Sequence, residues 1–527
     1  MRKSWRFSAL AVFAVTFLTG GFLGGRLLAL SDDVRGGLRA YSELLSVARA
    51  TYGAEISYRD LVWSSIHGML RRLDPHTSFL TPEALSTMKD RQQASFFGLG
   101  ILVGKREGRL TVISPIEGGP AAQLGVRAGD VIDTIEGEPV EPLPLDDAVQ
   151  KLKGPKGTKV SITILRRGIE EPIPLTVTRA EIPQTTVRYA YLLDSQTGYV
   201  LISDFARATG SELDRALRNL RAQGMKRLVL DLRNNGGGLL DQAIDVSDQF
   251  VKPGSLIVET RGRATDSRQE YLAKGNHPEF GMPLVVLVNH GTASASEIVS
   301  GAVQDHDVGI IVGQPTWGKG LVQTVYNLSY GAGLALTTAK YYTPSGRLIQ
   351  RDYSSYFDYY LEAPESGAPA VPPPGEEFRT ELGRSVFGGG GITPDVLAKP
   401  LDVPESAQYL YSRNAFFDFA VDYLLNHPKP SRDWRPGEAI LADFEVWLRT
   451  ETAGDTAELE KALLDPATRS LASREVVAEI QSAANGVESG HRVRTGSDPQ
   501  VSAALSEFGR ASALLAQRDG LPKIARR

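Results

Sequence analysis

The sequence predicts a multidomain α/β protein with a β-rich insertion and helical segments towards both ends. Three observations predict it. Continuous apolar runs, LVLDLR (228–233) and LVVLVN (284–289), alternate with helix-period segments between 198 and 350, the pattern of a parallel sheet layered with helices. Short alternating strands separated by glycine turns fill the stretch from 94 to 180, and helical spacing dominates before 93 and after 402. At 527 residues, 42% of them hydrophobic, the chain is long enough for several cores rather than one small module.

Taken in order, MRKSWR places Arg2, Lys3 and Arg6 before an apolar stretch from Phe7 to Gly25, the charge order of an export segment. The stretch approaches the length of a membrane span and carries no clean Ala-x-Ala site, only Leu28-Ala29-Leu30. Residues 1–30 therefore read as a signal peptide or a membrane anchor, with the uncleaved anchor favoured and an exported location expected. Residues 31–93 read as helices, LVWSSIHGMLRRL (61–73) keeping helical apolar spacing up to the Asp74-Pro75 break. Over 94–182 come LTVISPI, PAAQLGVRAGDVIDTIEG and KVSITILRR, strands and turns in alternation. This block resembles a PDZ domain, with FGLGI (97–101) at its peptide carboxylate loop and AGDVI (128–132) at a turn and strand of that fold. The resemblance implies that the backbone at Gly98, Leu99, Gly100 and Ile101 receives a terminal carboxylate while the peptide adds a strand to a sheet edge. It also makes Arg166 a candidate sensor linking peptide occupancy to a distant site. Residues 183–398 hold the α/β region, including a Pro/Gly-rich loop at 352–390, and 399–527 read as helical, with FFDFAVDYLL and FEVWLRT as amphipathic segments.

The chemistry centres on Ser294 in GTASASEI (291–298). Glu297, Ile298, Val299, Ala302 and Val303 carry helical spacing, so the serine stands at a helix start, where free N–H groups favour developing negative charge; the Ala295 N–H is a natural oxyanion donor. A serine hydroxyl needs a neighbour that accepts its proton, and a lysine can do so if burial lowers its pKa from about 10.4. Lys319, in GQPTWGKGLVQ (313–323), is the candidate. Singly, each motif has a plain reading, as helix capping and as an exposed loop charge.

Jointly they resemble the C-terminal processing peptidases, or tail-specific proteases. In that family a serine in an SASASE-like run, a lysine in GKG and a glutamine four residues later form the catalytic set; the matching positions are Ser294, Lys319 and Gln323, with Thr292 standing where a serine is often found. The RNNGGG loop (233–238) implies Gly238 as an oxyanion donor beside Ala295, and LDPHTSFL (73–80) and GITPD (391–395) are further matches. The resemblance covers most of residues 35–398. It narrows the α/β region to a ClpP/crotonase-like spiral protease core and implies a serine endopeptidase acting on exported proteins with unfolded, apolar C-termini. An adaptor protein and a homo-oligomer formed through terminal helices are further expectations of the resemblance. Fully extended, Lys319 and Gln323 would stand about 13 Å apart. The set therefore requires a turn, which Gly318 and Gly320 permit.

The charge balance, 58 basic against 62 acidic residues, gives no basic excess for nucleic acid. No cysteine, HExxH or phosphate-loop pattern is present, so neither a metal nor another cofactor is expected. The seven histidines leave a Ser/His/Asp alternative, with His290 before Ser294 and Asp305 and His306 after its helix. The alternative functional class is a PDZ-bearing peptide-binding scaffold with an inactive hydrolase core.

Overall fold

The computed structural model describes residues 32–93, 95–106, 108–116, 118–275, 281–354, 359, 376–451 and 456–520. The basic-apolar leader, most of the Pro/Gly-rich loop and the terminal KIARR lie outside the described residues. Among the described residues no helix is long and apolar enough to cross a membrane.

The chain divides into two compact units. One comprises the described residues up to Thr81 with Val325–Leu336. It holds helices Asp32–Thr51 and Tyr58–Leu70, the second capped by Ser57, whose side chain accepts the Asp60 N–H. The LDPHTSFL segment makes a carboxylate-stabilised turn: Asp74 accepts the N–H groups of His76 and Thr77, both at 2.8 Å, and the Thr77 hydroxyl. Ser78–Leu80 then pairs antiparallel with Gly333–Ala335, and Phe79 packs with Leu70 and Trp63.

The larger unit contains everything else described, including helix Pro82–Gln93, which the sequence pattern had grouped with the helices before it. Its tether is visible: the Gln92 carbonyl accepts the Arg207 N–H at 3.0 Å. Next comes a sheet in the order Ile101–Arg106, Arg109–Pro115, Val131–Ile135, Lys159–Leu165, Ile173–Thr178, with helix Leu145–Leu152 packed on it. The alternating residues Val160, Ile162 and Ile164 face its core. Strand Ile101–Arg106 forms one edge of this sheet.

The α/β region is a six-stranded sheet, Val187–Leu192, Thr197–Ile202, Arg227–Asp231, Leu284–Val288, Ile310–Gly313 and Val396–Leu397, parallel except for the first pair. Its apolar runs are buried on both faces. Leu228, Leu230, Leu284, Val286 and Val288 meet helices Thr209–Ala222, Leu240–Asp248 and Ala295–Asp305 on one side. Val229, Val285 and Leu287 meet Val501, Phe508 and Leu514 on the other, so helices Pro499–Ser506 and Phe508–Asp519 cover a core face. Between these parts, helices from Glu405 to Asn485 gather around Phe416, Phe419 and Phe444, with the Phe416 and Phe444 rings stacked at 5.4 Å.

His491 lies beneath the first strands, stacked 4.0 Å from Tyr189 and 3.2 Å from the Tyr199 hydroxyl. Burial lowers its pKa from the ordinary 6.5 to about 4. The unfolded chain thus takes up a proton that the folded chain excludes, and stability falls as pH drops from 6.5 towards 4. His491→Phe is expected to shrink the gap between melting temperatures measured at neutral and mildly acidic pH; an unchanged gap would count against this account.

Candidate active site

Two loops leave the C-terminal ends of the adjacent parallel strands Arg227–Asp231 and Leu284–Val288. They are stitched together. Asn289 Oδ1 accepts the Asn234 N–H at 2.8 Å, the Asn235 carbonyl accepts from the Ala293 N–H and the Ser296 hydroxyl, and the Thr292 hydroxyl donates to the Leu232 carbonyl at 2.9 Å. A threonine serves this last bond as well as a serine would. Gly237 is required where it stands: a Cβ there would come within 2.7 Å of the Ser294 Cβ. At Gly238 a Cβ would lie 2.1 Å from the Phe205 carbonyl oxygen.

Ser294 precedes helix Ala295–Asp305 with φ 56°, ψ −115°, a strained backbone for a residue with a side chain. Its N–H donates to Glu297 Oε2 at 2.7 Å, and the Lys319 N–H donates to the same oxygen at 2.9 Å. Glu297 Oε1 accepts the Gly318 N–H at 2.7 Å and the Thr316 hydroxyl at 2.5 Å. One fully buried carboxylate therefore joins the serine turn to the lysine turn. Burial pushes its pKa above the ordinary carboxylate range, and these four hydrogen bonds pull it back.

Gly318 has φ +87° and the strand Leu321–Asn327 starts only after Gly320, so the backbone turns at the lysine. Lys319 Nζ donates to Gln323 Oε1 at 3.1 Å. Tyr341, buried beside this turn, donates its hydroxyl to the Lys319 carbonyl. Burial raises its pKa well above the ordinary phenol value, which keeps it neutral. The GITPD segment braces the turn from behind, Ile392 donating its N–H to Thr316 Oγ1 at 2.7 Å. The Gly238 and Ala295 N–H groups have no backbone acceptor among the described residues, as oxyanion donors require.

Sequence reasoning missed Glu297, which it used only as a helix marker, and Tyr341. It also missed the support of the glycine loop: Arg233 grips buried Asp231 and reaches Asp498 Oδ2 at 2.7 Å and Gln500 Oε1 at 2.8 Å. The S/T-x-x-E spacing of Ser294 and Glu297 was the available signal for the first. Arg166 lies outside this group. Its Nε donates to Asp130 at 2.7 Å and its Nη2 to the Gly125 carbonyl at 2.8 Å. In the carboxylate loop, Gly100 has φ +73° and the Leu99 and Gly100 carbonyls accept from Ala121 and Ile116, which fixes the loop at the start of strand Ile101–Arg106. His306 and Asp305 end the serine helix, 11 residues from its start, with His306 on Glu381 and Asp305 on Arg347; the helix length separates them from Ser294 by about 16 Å. No conventional triad forms there.

The profile of peptidase family S41 matches residues 196–354, that of a PDZ domain 111–166, and that of the C-terminal helical domain of probable PDZ-proteases 406–490. A carboxy-terminal-processing protease of Bartonella bacilliformis is 38% identical over 348 residues, covering 64% of this chain and 80% of the relative. The chain belongs to the carboxy-terminal-processing proteases. A second member, from Synechocystis, is 40% identical over 300 residues, covering 56% of this chain and 69% of the relative. Among solved structures, the photosystem II D1 C-terminal processing protease aligns at a TM-score of 0.36 with 29% identity over 68% of this chain and 92% of its own. The chain is thus a serine-type peptidase of the carboxy-terminal-processing family that carries a PDZ domain and a helical C-terminal region.

Glu297→Gln replaces one carboxylate oxygen by an NH2 group that would face N–H or O–H donors on either side. Its kcat/KM on an unstructured protein is expected to fall about 100-fold or more with secondary structure retained by circular dichroism. Tyr341→Phe keeps the ring and loses the hydroxyl bond to the Lys319 carbonyl, and a drop of about fivefold is expected in the same assay.

Proposed function

We propose that this protein is an endopeptidase that cleaves proteins presenting unfolded, apolar C-terminal tails, with Ser294 as nucleophile and Lys319 as general base. The observation that carries this reading is the shared Glu297 oxygen, which hydrogen-bonds the backbones of both residues and so couples the serine turn to the lysine turn. Neutral Lys319 takes the Ser294 proton as Oγ attacks a peptide carbonyl, and Gln323 Oε1 orients the resulting ammonium. The tetrahedral oxyanion is met by the N–H groups of Gly238 and Ala295. The ammonium then gives its proton to the leaving amine, and water, deprotonated by the same lysine, releases the acyl-enzyme.

The tail is captured by the PDZ domain, its carboxylate on the N–H groups of the 98–101 loop and its backbone along the edge strand Ile101–Arg106. Export, an N-terminal anchor, an adaptor and an oligomer extend the same reading. A soluble form is expected to shorten an unstructured protein in a tail-dependent manner, read by mass spectrometry, with the rate rising with pH because only neutral lysine accepts a proton. Ser294→Ala and Lys319→Arg are expected to be inactive, since guanidinium does not deprotonate. Full activity in Lys319→Arg would end the Ser/Lys mechanism, and tail binding by a wild type that cleaves nothing would favour the scaffold.

A further inference from the structure

The PDZ sheet and the C-terminal helices enclose a cavity of about 540 Å³. Its wall begins where the edge strand ends: Arg106 is the last residue of Ile101–Arg106 and Arg109 the first of the next strand. Arg166, Arg167 and Arg413 also line it, and Asp418 is the one carboxylate among its lining residues. The domains are in tight contact here, since a Cβ on Gly129 would lie 2.8 Å from Val421.

The five guanidinium groups are unevenly compensated. Arg166 is paired with Asp130 and Arg167 with Asp422, at 2.7 and 2.8 Å. Arg106 instead donates to the neutral Asn414 side chain and lies 4.3 Å over the Phe417 ring, and Arg413 lies 4.9 Å over the Tyr409 ring. Burial draws the Arg106 pKa below its ordinary value, and Asp418 and Glu479 pull in the other direction. Once the pairs with Asp130 and Asp422 are set aside, Asp418 is the one carboxylate left in the lining, so Arg106 and Arg109 leave a cationic excess in the cleft even with Arg413 and Asp418 each engaged by a partner.

Position decides what this cleft would meet. A tail whose carboxylate rests at Gly98–Gly100, before the edge strand, must run antiparallel to that strand, and six strand residues span about 20 Å. Its residues about six positions upstream of the C-terminus therefore arrive beside Arg106, at the hairpin end where Arg109 pairs with it on the inner strand.

We propose that this arginine-lined cleft is a specificity subsite for acidic side chains of the substrate, about six to eight residues upstream of its C-terminal carboxylate. The inference rests on the tail-capture reading above. It makes the helical region part of substrate selection, because Arg413 and the rings of Tyr409 and Phe417 come from that region.

The test uses the full chain with Ser294→Ala and fluorescent peptides that share one apolar C-terminus but carry Glu, Gln or Lys at about the sixth to eighth positions from the end. By fluorescence polarisation the Glu peptide is expected to bind about tenfold tighter than the Gln peptide, and the Lys peptide weaker than both. Arg109→Gln with Arg413→Gln, two exposed positions, is expected to bring the three affinities within about twofold while leaving the Gln peptide unchanged. High salt is expected to shrink the Glu preference in the parent chain. Equal binding of the Glu and Gln peptides, or a Glu preference that survives the double substitution, overturns the subsite alone. Binding that is indifferent to C-terminal amidation, or no binding by any peptide, overturns tail capture and the subsite together.

Discussion

The active-site architecture depends on one buried carboxylate. Removing a carboxylate from water costs several kcal/mol even in a relaxed protein interior. Glu297 is tolerated because four donors, from Ser294, Thr316, Gly318 and Lys319, converge on its two oxygens. The dependence runs both ways. Without the carboxylate, three backbone N–H groups and a hydroxyl lose their acceptor in a place water does not reach, and the strained backbone at Ser294 loses the bond that restrains it. A serine turn and a lysine turn far apart in sequence thereby acquire a single geometry.

Support radiates outward from that centre in two directions. Behind the lysine turn, Thr316 links Glu297 to Ile392, and Asp395 accepts from Arg384, Gln304 and the Ile311 N–H, so the GITPD segment belongs to the scaffold of the site. Behind the glycine loop, Arg233, held by Asp231, donates to Asp498 and Gln500. Both braces are side-chain networks between segments distant in sequence, each built on a buried carboxylate side chain, Asp395 or Asp231, with the arginines partly exposed.

This explains which features were legible in the sequence. Elements with a strong period were plain: LVLDLR and LVVLVN as two-sided buried strands, the helix after Ser294, and the alternating strands of the PDZ block. The glycine-flanked lysine announced a turn, and Gly318 takes the positive φ that a turn there demands. Glu297 was not legible as a linchpin because a glutamate in the first turn of a helix is ordinary capping chemistry, and its partners at 316–319 appear only in three dimensions. Tyr341 lies in the strand Gly333–Tyr342, outside every motif that the sequence singled out. The helical pattern after Pro499 did not say what those helices pack on, and the need of a parallel sheet for cover on both faces accounts for their place.

That second face has a consequence in time. The strands bearing the serine and glycine loops are complete by Val288, yet the apolar surface formed by Val229, Val285 and Leu287 waits for Val501, Phe508 and Leu514. Asp498, which holds Arg233, belongs to the same late segment. A nascent chain on the ribosome therefore carries Ser294, Lys319 and Gln323 before the helices that cover the second sheet face and brace the glycine loop have been made.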